Sequence, residues 1–185
     1  MSFNRDIQLD PNRVQTRSGG GRGAVIGGGS ILTVIAVVLI SQLTGVDLTS
    51  MLGAQQQTGT TTSTASSIDT SVCTSGDSAN KYTQCRMVAT AESLDAVWTE
   101  QLPAQAGLKY AKPEFVLWDG SQISSACGNA SSAVGPFYCS GDQTVYLDMS
   151  FFSEMERSLG ATDTPLAEEY IVAHEFGHHI QHLTG

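Results

Sequence analysis

The stretch IVAHEFGHHI, residues 171–180, places two histidines four positions apart, with a glutamate directly after the first one. On a helix, His174 and His178 project from one face, so both imidazoles can bind a single metal ion. Glu175 then lies beside the pair, where it can accept a proton from water at the metal. The pattern is typical of H-E-x-x-H zinc peptidases. It predicts Zn²⁺ on the two histidines and Glu175 as the catalytic base.

The residues around this motif predict an amphipathic helix that begins near Thr164 and ends near Gly185. Thr164 suits an N-cap, and Pro165 suits the first helical position. At about 100° per residue, both histidines share one side with Ala167, Tyr170, Gly177 and Gln181, and the opposite side carries Val172, Phe176, Ile180 and Leu183. The apolar side should anchor the helix in a core and hold the histidines rigidly.

A solvated, histidine-rich helix end is the alternative interpretation, since all four histidines of the chain follow residue 173. The absence of proline after Pro165 and the apolar Ile180 that follows the motif favour the zinc site. His179 and His182 point away from the shared face. They are therefore expected in supporting or surface roles.

Charge argues against a nucleic-acid partner. The chain has 185 residues and a formal net charge of −9. From residue 72 onward, 5 basic residues face 14 acidic ones. A nucleic-acid-binding surface needs clustered basic residues, so this segment is interpreted as an acidic, solvated exterior.

The N-terminal third predicts a membrane anchor and a stalk. Residues 1–23 are basic and glycine-rich and are expected to be disordered in the cytoplasm. Residues 24–44 carry no charge and are about long enough to cross a ~30 Å hydrocarbon core. A signal peptide is the competing interpretation, but no small-residue cleavage site follows. Residues 45–71 form a Ser/Thr/Gln-rich linker, and residues 72–185 form the catalytic domain, which the positive-inside rule places outside the membrane.

The four cysteines favour two disulfides. Cys73 and Cys85 are 12 residues apart, as are Cys127 and Cys139. An even number of cysteines in an exported domain is typical of disulfides, and the equal spacing favours two local loops, although three connectivities are possible. A cysteine zinc site is the alternative, but the C-x-x-C spacing is missing.

The remaining pattern predicts an α+β domain with a small sheet packed on the apolar back of the H-E-x-x-H helix. Apolar spacing predicts a helix over residues 86–102 and another over 151–159. Strands are predicted at 114–118, 136–139 and 143–148, the last two as a hairpin. Strand 144–148 is expected to lie beside the metal with an edge open to an extended peptide.

Four further blocks give the chain a family resemblance. They are CGNA at residues 127–130, GPFYC at 135–139, VYLD at 145–148 with Phe151 and Phe152, and AHEFGHHIQ at 173–181. With these blocks the chain resembles the bacterial neutral zinc metallopeptidases called YpfJ-like. The resemblance implies a zincin-like fold and a peptidase in the bacterial cell membrane with one N-terminal span. It also implies that His174 and His178 are zinc ligands and Glu175 the catalytic base.

The third zinc ligand is the missing element, because a catalytic zinc has three protein ligands and one open position. A metzincin would have glycine at position 181 and histidine at position 184, where this chain has Gln181 and Thr184. The resemblance implies an acidic ligand on a later helix, so the chain is expected to be truncated at its C-terminus. Asp148, Glu154 and Glu168 are the internal candidates.

The predicted function is hydrolysis of a peptide or protein substrate by zinc-activated water, with Glu175 as the general base. Two alternatives are a catalytically incomplete, peptidase-like module for binding or assembly at the cell surface and a zinc hydrolase of non-peptide amides. Zinc binding without proteolysis would favour the first, and activity on small amides alone would favour the second.

Overall fold

A computed structural model describes residues 2–19, 68–120, 122–159 and 164–185. Within these ranges the chain forms six strands and four helices. The strands are β1 (Gln15–Gly19), β2 (Glu114–Gly120), β3 (Gln122–Ser125), β4 (Gly128–Ser131), β5 (Phe137–Cys139) and β6 (Thr144–Asp148). The helices are α1 (Gly76–Lys81), α2 (Thr83–Ala106), α3 (Phe151–Leu159) and α4 (Pro165–Thr184).

The main sheet has four strands in the order β1-β2-β6-β5. Strands β1, β2 and β6 are parallel, and β5 runs antiparallel to β6, with Phe137 opposite Tyr146. Strands β3 and β4 form a separate hairpin. The architecture is therefore α+β with small sheets, as predicted, and the β5–β6 hairpin lies where the sequence indicates.

The core lies between the main sheet and helices α2 and α4. Its buried side chains include Phe115, Leu117, Val145, Leu147, Val172 and Phe176. Phe176 of α4 is fully buried, and its ring meets Phe115 edge to face at 6.0 Å. Burial of aromatic rings of this size contributes strongly to stability, so the apolar back of α4 fixes the helix on the sheet.

Both ends of α4 have the capping groups that the sequence predicts. The Thr164 hydroxyl accepts a hydrogen bond from the backbone N–H of Ala167, and Pro165 occupies the first turn. At the other end, the N–H of Gly185 donates to the carbonyl of Gln181. These contacts satisfy backbone groups that a helix end leaves unpaired, so the bounds of α4 are set locally.

Two disulfides join Cys73 to Cys85 and Cys127 to Cys139. The first attaches the segment before α1 to α2. The second attaches the β3–β4 turn to the end of β5. This is the connectivity that the equal spacing favours, and such bonds are typical of proteins that fold in an oxidising compartment.

The N-terminal residues correct the predicted topology. Residues 1–23 were expected to be disordered in the cytoplasm, but Gln15–Gly19 is a strand, and it pairs with β2 from Gln15 opposite Val116 to Gly19 opposite Gly120. The side chain of Asn80 holds the same segment further upstream, because it both accepts from and donates to the backbone of Phe3. Strands of one sheet share one compartment, so the single-pass arrangement with a cytoplasmic N-terminus and an external domain is wrong.

The transmembrane part of the predicted fold is not supported either. No helix in the part of the chain that the structure describes is both long and apolar enough to cross a bilayer. The predicted span at residues 24–44 and the linker up to residue 67 lie outside the described residues. Ile68, at the end of that predicted linker, packs against the core.

Candidate metal centre

Helix α4 presents His174 and His178 to solvent on one face, and their Nε2 atoms lie 3.2 Å apart. Two ligand nitrogens about 2.05 Å from a tetrahedral zinc would be separated by about 3.3 Å. The imidazole pair therefore fits one zinc ion without a change of backbone. The apolar back of the same helix provides the rigidity that such a pair requires.

Gln181 sets the tautomer of His178. The Gln181 side-chain oxygen Oε1 lies 3.0 Å from His178 Nδ1. An amide oxygen only accepts hydrogen bonds, so Nδ1 carries the proton and donates it. Nε2 of the neutral ring then keeps its lone pair, which is the form that binds a metal.

Glu175 lies on the inner side of the pair and is 7% exposed. Burial raises the pKa of its carboxyl group, while positive charge on His174 and His178 and a hydrogen bond from the backbone N–H of Tyr138 act in the opposite direction. A carboxylate with a raised pKa takes up a proton more readily, which suits a general base.

His179 is buried, and its two ring nitrogens form hydrogen bonds that join α4 to the rest of the domain. Its Nε2 donates to the carbonyl of Ala111 at 2.7 Å, so its Nδ1 is unprotonated and accepts from the hydroxyl of Tyr138 at 2.9 Å. Burial lowers the pKa of His179 and favours the neutral ring. The Tyr138 hydroxyl thus joins β5 to α4 at His179, one turn after the predicted base.

His182 is exposed, and its ring centroid lies 6.2 Å from that of Tyr138. His182 follows His174 by two turns, a rise of about 12 Å. It occupies the surface position that the helical wheel predicts.

The three acidic candidates for a third ligand have other partners or positions. Asp148 is fully buried and accepts from the backbone and hydroxyl of Ser150. Glu168 is buried in an ion pair with Arg86, whereas Glu154 is exposed. Among the residues that the structure describes, no three His, Cys, Asp or Glu side chains form a group that could hold a metal.

The strand beside the motif is β5, and not β6 as predicted. Strand β6 lies between β2 and β5, so both of its edges are paired and it offers no open edge to a peptide. The Tyr138 hydroxyl connects β5 to α4 through His179. The apolar run at residues 144–148 indicates burial on both faces, which is typical of a central strand.

Sequence reasoning did not assign roles to Gln181, Tyr138 or Ala111. Gln181 was detectable, because it lies three residues after His178 on the same helical face. Tyr138 and Ala111 contact His179 from positions 41 and 68 residues away in the chain. No local periodicity encodes such pairings.

Comparison with known proteins identifies the family and the relatives of the chain. The sequence profile of the family described as putative neutral zinc metallopeptidase matches residues 6–185. The chain is 46% identical over 145 residues to the uncharacterized protein Rv2575 of Mycobacterium tuberculosis, which covers 78% of this chain and 47% of that protein. It is 37% identical over 161 residues to the uncharacterized protein YpfJ of Escherichia coli, covering 85% of this chain and 50% of YpfJ.

The chain thus spans about half the length of the curated relatives it matches. No solved structure matches it. Because the family profile covers nearly all of the sequence, the chain belongs to the putative neutral zinc metallopeptidase family.

Proposed function

We propose that the domain is a zinc-dependent metallopeptidase in which His174 and His178 bind the metal and Glu175 is the general base. The main support is the 3.2 Å separation of the Nε2 atoms of His174 and His178, with the buried carboxylate of Glu175 beside them. Family membership supports the same chemistry. When bound, zinc supplies a Lewis acid that makes a water molecule acidic near neutral pH.

The residues of the chain then perform the proton transfers. Glu175 accepts a proton from the attacking water and donates it to the leaving amine of the peptide. Gln181 keeps Nε2 of His178 free of its proton. Asp148, Glu154 and Glu168 do not lie close enough to the two histidines to form a three-ligand site. We therefore expect the third zinc ligand to be a residue outside the described ranges.

The test compares the zinc-loaded wild type with Glu175→Gln on casein and on a labelled peptide mixture. Loss of a general base lowers the rate by about 10²–10⁴-fold, and we expect hydrolysis to fall by this amount while zinc content by elemental analysis stays the same. Chelation of zinc should abolish the activity of the wild type.

One zinc per chain with no hydrolysis of any substrate would contradict the proposal and favour a binding or assembly module. Hydrolysis of small amides, with none of peptides, would favour a zinc amidase. Equal hydrolysis by the wild type and Glu175→Gln would show that Glu175 is not the general base.

A further inference from the structure

A cavity of about 360 Å³ opens directly beside His174 and Glu175. Its size falls within the ~300–1,000 Å³ that is usual for small-ligand sites. The other lining residues are Val134, Gly135, Pro136, Phe151, Tyr170 and Ile171. We refer to this cavity as the motif-side pocket. It is continuous with the proposed site, because the first ligand and the base form part of its wall.

Three elements build the motif-side pocket. The loop before β5 supplies one wall, the first residue of α3 supplies another, and the N-terminal half of α4 supplies the third. Gly135 has φ +79°, and a Cβ there would lie 3.0 Å from Cε2 of Phe151. The absence of a side chain at Gly135 therefore lets the Phe151 ring approach the loop backbone and shape the pocket.

Apart from His174 and Glu175, the lining is mostly apolar. Tyr170 is 69% exposed and Val134 is 61% exposed, which leaves two large apolar surfaces open at the rim. Exposed apolar residues that cluster around a concave site indicate binding. The lining contains no Lys or Arg, and Glu175 contributes a carboxylate. An acidic group would therefore find no Lys or Arg partner in the lining, and a small polar group would leave apolar surface in water.

We propose that the motif-side pocket selects the substrate by receiving an apolar side chain, of the size of leucine or phenylalanine, from the residue next to the scissile bond. This inference rests on the proposed peptidase function. It deepens that function, because it names peptides with a bulky apolar residue at the cleavage position as the substrate class.

A binding titration tests this proposal without requiring the peptide to be cleaved. The probes are four capped, fluorescein-labelled peptides, Ala-Ala-X-Ala-Ala with Leu, Phe, Ser or Asp at X, titrated by anisotropy against zinc-loaded Glu175→Gln. Because a hydrophobic pocket discriminates by about 10–200-fold between side chains that differ by one or a few carbon atoms, we expect the Leu and Phe peptides to bind at least about tenfold more tightly than the other two.

Three surface variants test whether the selectivity lies in the motif-side pocket. Tyr170→Ser, in the same Glu175→Gln background, should reduce the preference for Leu and Phe to about twofold, because it removes the exposed wall of the pocket. Tyr82→Ser is the matched control, since Tyr82 is 48% exposed and does not line the pocket. It should leave all four affinities unchanged. Val134→Lys should strengthen binding of the Asp peptide, because it supplies the cation that the lining lacks.

Equal binding of the four peptides, or equal effects of Tyr170→Ser and Tyr82→Ser, would overturn the pocket assignment. Cleavage by the wild type with no preference at X would overturn it too, while the proposed peptidase function would stand. Selective binding by Glu175→Gln without any cleavage by the wild type would support the pocket's preference and overturn the peptidase function instead.

Discussion

At the scale of single residues, Gln181 is the neighbour that we expect to tune the proposed zinc ligand His178, because it holds the proton on Nδ1 of that ring. Loss of such an outer partner typically lowers metal affinity by about 10–100-fold. Gln181→Ala should therefore weaken zinc binding by this factor in a competition titration with a chromophoric chelator. Gln105→Ala, at another exposed helical glutamine, should leave the affinity unchanged. Equal affinities of Gln181→Ala and the wild type would show that the Nδ1 contact does not tune the ligand.

Asp142 carries a pH-dependent contribution to stability. Burial raises the pKa of its carboxyl group, but hydrogen bonds to Oδ2 from the Ala126 N–H and from the Tyr146 hydroxyl act in the opposite direction, and the pKa is lowered below its ordinary value of 3.8. A lowered pKa in the folded protein stabilises it above the pKa of the unfolded chain, and this stability is lost as the pH falls through the folded pKa.

Asp142→Asn should therefore reduce the free energy of unfolding by about 1.5–3 kcal/mol at neutral pH, the usual contribution of hydrogen bonds to a charged group. The difference from the wild type should shrink as the pH approaches the acid range below the ordinary carboxyl pKa. Urea denaturation at both pH values measures it, with Asp6→Asn at an exposed position as the control. A difference that stays constant with pH would rule out the charge as its cause.

At the scale of elements, α4 and the α2–α4 contact determine where the motif lies. Arg86 of α2 and Glu168 of α4 form an ion pair in which the side chains are 11% and 3% exposed. Removal of one partner of a buried pair costs about 3–5 kcal/mol. Glu168→Ala should lower the free energy of unfolding by this amount, measured by chemical denaturation, and leave zinc content per folded chain unchanged.

Glu154→Ala is the matched control for that experiment, because Glu154 is also an acidic ligand candidate but its side chain is 60% exposed. Such surface changes usually alter stability by less than about 0.5 kcal/mol. Loss of zinc from folded Glu168→Ala would indicate that Glu168 is a zinc ligand. It would contradict the assignment of Glu168 to the ion pair with Arg86.

Some elements of this fold can be predicted from their local sequence, and others cannot. Helix α4 has a threonine cap, an early proline and an apolar back, so its bounds and its exposed histidine face are predictable. The β5–β6 hairpin is predictable from its turn residues. Strand β1 is not, because its sequence QTRSG is polar and has no apolar alternation. Its strand conformation depends on pairing with β2, about 100 residues later in the chain.

At the scale of the whole molecule, the N-terminal segment is part of the folded domain that carries the H-E-x-x-H helix. Nε and Nη2 of Arg13 donate to the two carboxylate oxygens of Asp95, at 2.6 and 3.1 Å. The Arg13 guanidinium also lies 5.8 Å from the ring centroid of Phe176 on α4. The basic, glycine-rich composition predicts disorder, because composition does not reveal a partner 82 residues away. The prediction that residues 1–23 are disordered was wrong for this reason.

Arg13→Ala tests this role of the N-terminal segment. Asp95 would keep Tyr110 and Lys112 as partners, so we expect the cost to lie near the lower end of the range for buried pairs, about 3 kcal/mol. Arg17→Ala, at an exposed arginine of β1, should change stability by less than about 0.5 kcal/mol. Equal stability of Arg13→Ala and Arg17→Ala in urea denaturation would contradict the packing of residues 2–19 on the domain.

We propose that His174 and His178 bind one zinc ion, and zinc K-edge X-ray absorption detects the ligands of that ion. We expect two imidazole nitrogens at about 2.0–2.1 Å and no sulfur ligand. His178→Ala should lose one imidazole, while His182→Ala should give the wild-type spectrum. Sulfur bound to the zinc, or a spectrum of His178→Ala identical to that of the wild type, would contradict this ligand assignment.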